Sequence, residues 1–114
     1  MEQIANPISW NDFIMVEMRT GTIISAEVFQ EAKKPAYKIT IDFGELGTRK
    51  TSAQVTKLYT CEELIGKQVI AVVNFPPKQI ANFFSECLLL GAVEGEEVTL
   101  LSTDKPVKNG LRIS

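Results

Sequence analysis

Residues 36–43 alternate between two chemistries. Tyr37, Ile39, Ile41 and Phe43 fall on one face and Lys38, Thr40 and Asp42 on the other, the period of two expected of a half-buried antiparallel strand. A longer run, 18–29, has the same period. It puts Met18, Thr20, Thr22, Ile24, Ala26 and Val28 on one face and Arg19, Gly21, Ile23, Ser25, Glu27 and Phe29 on the other. Gly21 is expected to mark a bulge or bend that lets this strand curl. Gly44-Glu-Leu-Gly47 reads as a turn returning the chain as a third strand over 48–54. Residues 68–74 are rich in β-branched side chains and predict a fourth strand, and 86–92 a fifth. A hairpin from the Glu94-Gly95-Glu96-Glu97 turn into 98–101 and a short segment at 111–113 finish the chain.

Two short helices punctuate these strands. Ser9-Trp-Asn-Asp12 has the form of a capping box, opening a helix over 10–16. Its apolar residues Trp10, Phe13 and Ile14 share one side, fit to cover a barrel end or to meet a second subunit. Thr60-Cys-Glu-Glu63 starts another, which Gly66 ends. Three strands, a short helix and two strands is the element order of an OB-fold, an all-β five-stranded Greek-key barrel with short helices; a small sandwich has similar periodicity. The chain is expected to be one domain over 13–114, including a C-terminal extension, preceded by an N-terminal extension over 1–12. Between the fourth and fifth strands, Pro76-Pro77 stops β-pairing. Residues 75–85 then read as a loop carrying Lys78 and the apolar Ile80, Phe83 and Phe84, a surface that must be packed, paired with a partner or kept for a ligand.

Composition narrows the chemistry. A hydrophobic fraction of 45% with 23% charged residues fits a globular protein rather than a disordered one. There is no histidine, which excludes Ser-His and Cys-His nucleophilic sites and removes the commonest zinc ligand. Glu62-Glu63 and Glu96-Glu97 fall at a helix start and a turn, where acidic pairs are ordinary, so no enzyme is expected. No phosphate-gripping glycine loop points to ATP, and no cofactor or metal is expected. Cys61 and Cys87 are scattered and read as reduced thiols. Neither a secretion signal nor an apolar run long enough for a bilayer is visible, so the expected location is the cytoplasm, without membrane insertion. Net charge is −2, yet residues 33–78 hold eight basic side chains against four acidic ones. That asymmetry allows a basic face on an acidic protein.

Ordered motifs then point to a family. Arg19-Thr-Gly21-Thr-Ile23, Ala26-Glu27, Ile41-Asp42-Phe-Gly44, Leu64-Ile-Gly66-Lys67-Gln-Val69, Val73-Asn74 and Ser85-Glu-Cys-Leu88-Leu-Leu-Gly-Ala92 resemble the tRNA-binding domain family, whose module is also appended to methionyl- and phenylalanyl-tRNA synthetases. Pro-Ala-Tyr-Lys at 35–38, Ser-Ala-Gln at 52–54 and Asn-Phe-Pro-Pro-Lys at 74–78 resemble the CsaA protein-secretion chaperones within it. The resemblance implies an OB-fold homodimer that binds tRNA and, in that subtype, unfolded or precursor polypeptides in apolar pockets near the dimer interface, in contact with the export machinery. It assigns Trp10, Phe13 and Ile14 to the subunit contact. The chain departs from the wider family where a basic residue, Arg and Gly usually precede the serine matching Ser85; here Gln79-Ile80-Ala81-Asn82 stands instead. An Ala-Asp-Lys stretch before the second strand is likewise replaced by Glu31-Ala-Lys-Lys34.

RNA binding needs cations for phosphate, polar groups for bases or 2′-hydroxyls, and flat apolar groups for stacking. Lys33, Lys34 and Lys78 are the candidate cations, Asn74, Asn82 and Ser85 the candidate polar groups, and Phe83 or Phe84 the stacking surface. A polypeptide would instead use Phe75, Pro76, Pro77, Ile80 and one of Phe83 and Phe84. Adjacent strand residues point oppositely, so one of the two phenylalanines is expected to be core.

Overall fold

A computed structural model describes residues 4–114; the first three residues of the expected N-terminal extension lie outside the described residues. Helix α1 (Trp10–Ile14) leads into strand β1 (Met18–Val28), β2 (Tyr37–Asp42), a single 3-10 turn at Gly44–Leu46, and β3 (Thr48–Ala53). Helix α2 (Cys61–Leu64) precedes β4 (Gln68–Val72). Then come β5 (Lys78–Ile80), β6 (Phe83–Ser85), β7 (Leu88–Leu89), β8 (Gly91–Glu94) and β9 (Glu97–Leu100). Both expected capping boxes form, Ser9 with Asp12 and Thr60 with Glu63.

The five-stranded sheet runs in the order β3-β2-β1-β4-β7, all antiparallel. It curls into a nearly closed barrel, the OB-fold. Its two edges meet where β3 faces residues 85–87, and there one main-chain hydrogen bond and several side-chain ones take the place of a ladder. Glu86 N–H donates to the Lys50 carbonyl at 2.7 Å, and Lys50 N–H donates to Glu86 Oε1 at 2.9 Å. Buried Thr51 donates its hydroxyl to the Cys87 carbonyl at 2.8 Å. The barrel holds Ile23, Tyr37, Ile39, Ile41, Phe43, Val55, Leu64, Val69, Ala71, Val73 and Cys87. The alternation of β2 is therefore what the core reads: Ile39, Ile41 and Phe43 are essentially inaccessible. Truncating one such residue to alanine costs about 2–5 kcal/mol.

Three expectations are corrected. The bulge in β1 lies between Ile23 and Ser25, not at Gly21. Ile23 exchanges hydrogen bonds with Gly66 and Lys67 at the end of α2, and this crossing displaces the ladder. The alternation therefore does not run unbroken along β1. Gly21 is instead a close approach: a Cβ there would lie 2.6 Å from Ile41 Cγ2 and 2.9 Å from the Phe43 ring. Residues 75–85 are not a loop throughout, because Lys78–Ile80 and Phe83–Ser85 pair as a hairpin around Ala81, whose φ is +53°. The fifth strand is also split. β7 pairs with β4, and beyond Leu90 the chain leaves the barrel into the β8–β9 hairpin.

The C-terminal segment runs back along the first half of β1. Thr20 N–H donates to the Leu111 carbonyl at 2.9 Å, Gly110 N–H to the Thr20 carbonyl at 2.7 Å, and Ile113 N–H to the Met18 carbonyl at 2.9 Å. Gly110 takes φ +88°, a conformation that favours glycine. The second half of β1 is left to pair with β2.

Candidate nucleic-acid interface

The β5–β6 register decides which hairpin side chains act together. Lys78 faces Ser85 and Ile80 faces Phe83, whereas Gln79 faces Phe84. Directly opposed and alternate residues share a face. Lys78, Ile80, Phe83 and Ser85 thus look one way, and Phe84 the other. Phe83 packs edge-on against Phe29 with ring centroids 5.3 Å apart, while Phe84 is 54% exposed. That resolves the pair: Phe83 is the packed ring.

The hairpin is held to the loop between β1 and β2 by a cation. Lys38 Nζ lies 4.9 Å from the Phe29 ring centroid and 5.6 Å from that of Phe83, with Glu31 Oε1 at 4.0 Å. Its ammonium meets the negative faces of two rings, worth about 0.5–1 kcal/mol or more when partly desolvated. This arrangement sets the hairpin beside the 31–36 loop. Between them lies an open groove of about 430 Å³ lined by Lys33, Lys34, Lys78, Ile80, Ser52 and Gln54, with Glu31 and small residues completing the wall. Adjacent Lys33 and Lys34 and the distant Lys78 therefore meet at one concavity. All three are exposed, and none joins an ion pair among the described residues.

Other predicted residues are placed differently. Asn82 is exposed at the hairpin turn. Asn74 is a tether: its Oδ1 accepts from Glu17 N–H at 3.0 Å and its Nδ2 donates to the Met15 carbonyl at 2.7 Å. Ser85 is turned into the barrel seam, where its Oγ accepts from Ser52 N–H at 3.2 Å and lies 3.2 Å from Thr51 Oγ1. Ile80 belongs to the lysine groove, which Phe75, Pro76 and Pro77 do not line. Phe75, Pro76 and Pro77 are exposed next to Asn74, on the chain that meets the N-terminal segment. There Trp10 is 71% exposed, with its ring 5.7 Å from that of Phe13, and Ile14, Met15 and Val16 are also exposed.

Lys38, Ser52 and Gln54 are site residues that sequence reasoning did not single out. Lys38 read as an outward strand lysine, but the Pro-Ala-Tyr-Lys and Ser-Ala-Gln motifs contain all three, which was the available signal. The thiols take no part. Burial pushes Cys87 up to about 12 and also raises Cys61, so both stay protonated at neutral pH and are poor nucleophiles. No helix among the described residues is long and apolar enough to cross a membrane.

Residues 18–112 match the family described as "Putative tRNA binding domain". Methionine–tRNA ligase of Methanocella arvoryzae is 35% identical over 107 residues, which is 94% of this chain; the chain spans only about 15% of that relative's length. Chaperone CsaA of Bacillus anthracis superposes with a TM-score of 0.92 at 49% identity, covering 96% of this chain and 100% of the other. The CsaA chaperone protein of Picrophilus torridus does so with a TM-score of 0.89 at 50% identity, covering 95% and 100%.

Proposed function

Because the chain belongs to the tRNA-binding domain family, we propose that it binds tRNA, without catalysis, in the groove between the 31–36 loop and the β5–β6 hairpin. The observation that carries this reading is the convergence on one open concavity of Lys33, Lys34 and Lys78, which join no ion pair among the described residues. Unpaired lysines give their full charge to phosphate and release its counterions on binding. Ser52, Gln54 and Asn82 supply hydroxyl and amide groups for bases and 2′-hydroxyls, and Ile80 supplies an apolar floor. Asn74 and Ser85 act behind this surface, one fixing the N-terminal segment and the other the barrel seam. The working compartment would be the cytoplasm, where tRNA is met.

The test is fluorescence anisotropy of labelled bulk tRNA across a salt series. Saturable binding whose log K falls with log salt by roughly 0.7–0.9 per phosphate neutralised is expected. A Lys33→Glu/Lys34→Glu/Lys78→Glu variant should lose it. Wild-type protein that fails to bind even at low salt would sink the reading.

A second reading draws support from the exposed apolar surface of Trp10, Ile14, Met15 and Phe75, and from the likeness to two chaperones called CsaA. In it, Trp10, Phe13 and Ile14 join two copies across a two-fold axis. Phe75, Pro76, Pro77 and the outward Phe84 then contact unfolded or precursor polypeptide without ATP, delivering it to the export machinery. Sedimentation equilibrium should give a dimer that Trp10→Ser/Ile14→Ser shifts toward monomer. Phe84→Ser should weaken suppression of aggregation of a reduced client while leaving tRNA binding intact. A wild-type monomer would remove the dimer from this reading.

A further inference from the structure

The lysine groove does not end at the hairpin. Two further concavities adjoin it: one of about 540 Å³ running past Thr56 and Lys57 to Val93 and Glu96, and one of about 420 Å³ floored by Leu88, Leu90 and Val98. Gln54 lines all three. Each is of a size that ordinarily takes a small molecule or one unit of a polymer. The rim is basic at both ends, with Lys78 and Lys33 at one and Lys57 at the other. Among the described residues Lys57 pairs with Glu96 at 3.5 Å, well exposed, while Lys33 and Lys78 join no ion pair.

Gln54 also differs from its neighbours in what it already binds. The outward backbone groups of β3 are occupied at Lys50 and Ser52 by Glu86 and Ser85. One step further, Gln54 is exposed and hydrogen-bonds to none of the described residues, through either its backbone or its side chain. An added peptide strand would find most of this edge closed, which disfavours polypeptide as the occupant. A carboxamide at the junction of two lysine-rimmed grooves and one apolar one has one donor side and one acceptor side to offer. That is the pairing an unpaired base edge presents, and adenine matches it with an amino group beside a ring nitrogen.

We infer that the three concavities form one channel for a single-stranded RNA segment and that Gln54 is its specificity-determining residue, reading the edge of one unpaired base. This rests on the RNA-binding reading and refines it. Double-stranded RNA presents its base edges only within grooves, whereas an unpaired nucleotide can turn its edge onto the amide. The lysines then hold the flanking phosphates, and Gln54 carries the sequence information at that base.

End-labelled five-nucleotide homopolymers of A, C, G and U, a blunt RNA hairpin and bulk tRNA would be titrated against the full chain and against Gln54→Ala and Gln54→Glu. The single strands should outcompete the hairpin, with oligo-A favoured over the weakest homopolymer by about tenfold. Gln54→Ala should flatten that preference while leaving the salt slope for tRNA unchanged, and Gln54→Glu should change its order by replacing the amide donor with a second acceptor. Equal affinity for all four strands, a hairpin that binds as tightly as they do, or an extended peptide displacing oligo-A with no base preference seen, would overturn the inference. If tRNA itself fails to bind, the underlying RNA reading falls; if tRNA binds but the preference is absent, only this inference does.

Discussion

The two arginines at the terminal end of the barrel and the three lysines of the groove carry the same charge to different ends. Arg19 is only 22% exposed and donates to Glu17 Oε1 at 2.6 Å and to the Gly110 carbonyl at 3.0 Å. Arg112 reaches the same carboxylate at 3.7 Å and donates to the Ile14 carbonyl at 2.8 Å. One carboxylate and two carbonyls thus hold both guanidinium groups, tying the N-terminal segment, β1 and the C-terminal segment together. Lys33, Lys34 and Lys78 have no such partners among the described residues and surround open space. The planar, multi-donor guanidinium suits fixed geometry, whereas the flexible ammonium suits a ligand that arrives with its own phosphates. Charge that is paired holds the fold together, and charge left without a partner is available to a ligand.

The sharpest way to break this comparison is to exchange the effects. Reversing the three lysines is expected to lower tRNA affinity at low salt on the order of a hundredfold or more and to reduce the salt slope by about two to three. Thermal unfolding should barely move, since exposed charges make small contributions. Arg19→Met should do the opposite. It removes two charge-assisted hydrogen bonds, one of which joins residues 91 apart in the chain, at a cost of about 2–3 kcal/mol read by urea unfolding. Affinity for tRNA per folded molecule should be unchanged. If Arg19→Met impaired binding as severely as the lysine reversal, the division of labour would be wrong.

Sequence made some of this legible and hid the rest for definite reasons. The period of two at Tyr37, Ile39, Ile41 and Phe43 reports a buried face directly, because burial acts on each alternate side chain. The capping boxes at Ser9 and Thr60 are local too, with both partners three residues apart. The β5–β6 hairpin was not legible, since three-residue strands are too short to show a period and Pro76-Pro77 dominates the local signal. Asn74 and Ser85 read as polar groups open to a ligand. Their partners, Glu17 and Ser52, lie 57 and 33 residues away, and only the closed barrel brings them near. The lysine groove was half legible: its cations were named, but Gln54 joins them through the geometry of a strand edge.

Acid should erase part of the terminal network selectively. The Arg19 hydrogen bond, reinforced by the Arg19 and Arg112 charges, holds the Glu17 carboxyl below the usual carboxylate range against a weaker opposing effect of burial. A carboxyl lowered in the folded state adds stability above its unfolded value, about 4.3, and loses it as pH falls through the lower folded value. The urea midpoint of the wild type should therefore exceed that of Glu17→Gln at pH 7. The gap should close as solutions are taken below about pH 4, because protonated glutamic acid and glutamine then present the same charge. A gap that stayed constant down to pH 3 would mean that Glu17 acts by shape rather than by charge.

The smallest expected effect is the most diagnostic, because Lys38 is a lysine placed as the arginines are. Its ammonium lies over Phe29 and Phe83, beside Glu31, holding the hairpin that carries Lys78. Lys38→Met keeps the packed stem and removes the charge, at about 0.5–1 kcal/mol of local stability. With the hairpin less firmly set, tRNA affinity should fall only severalfold. Lys38→Arg keeps a cation over the rings and should restore most of it. The salt slope separates the two possible roles. A positioning residue leaves the slope of log K against log salt where it was, whereas a residue that grips phosphate lowers it by roughly 0.7–0.9 when removed. An unchanged slope in Lys38→Met would place Lys38 with Arg19 and Arg112 among the charges that build the surface. A slope lowered by one contact would move it into the groove with Lys33, Lys34 and Lys78, and the line between paired and unpaired charge would have to be redrawn there.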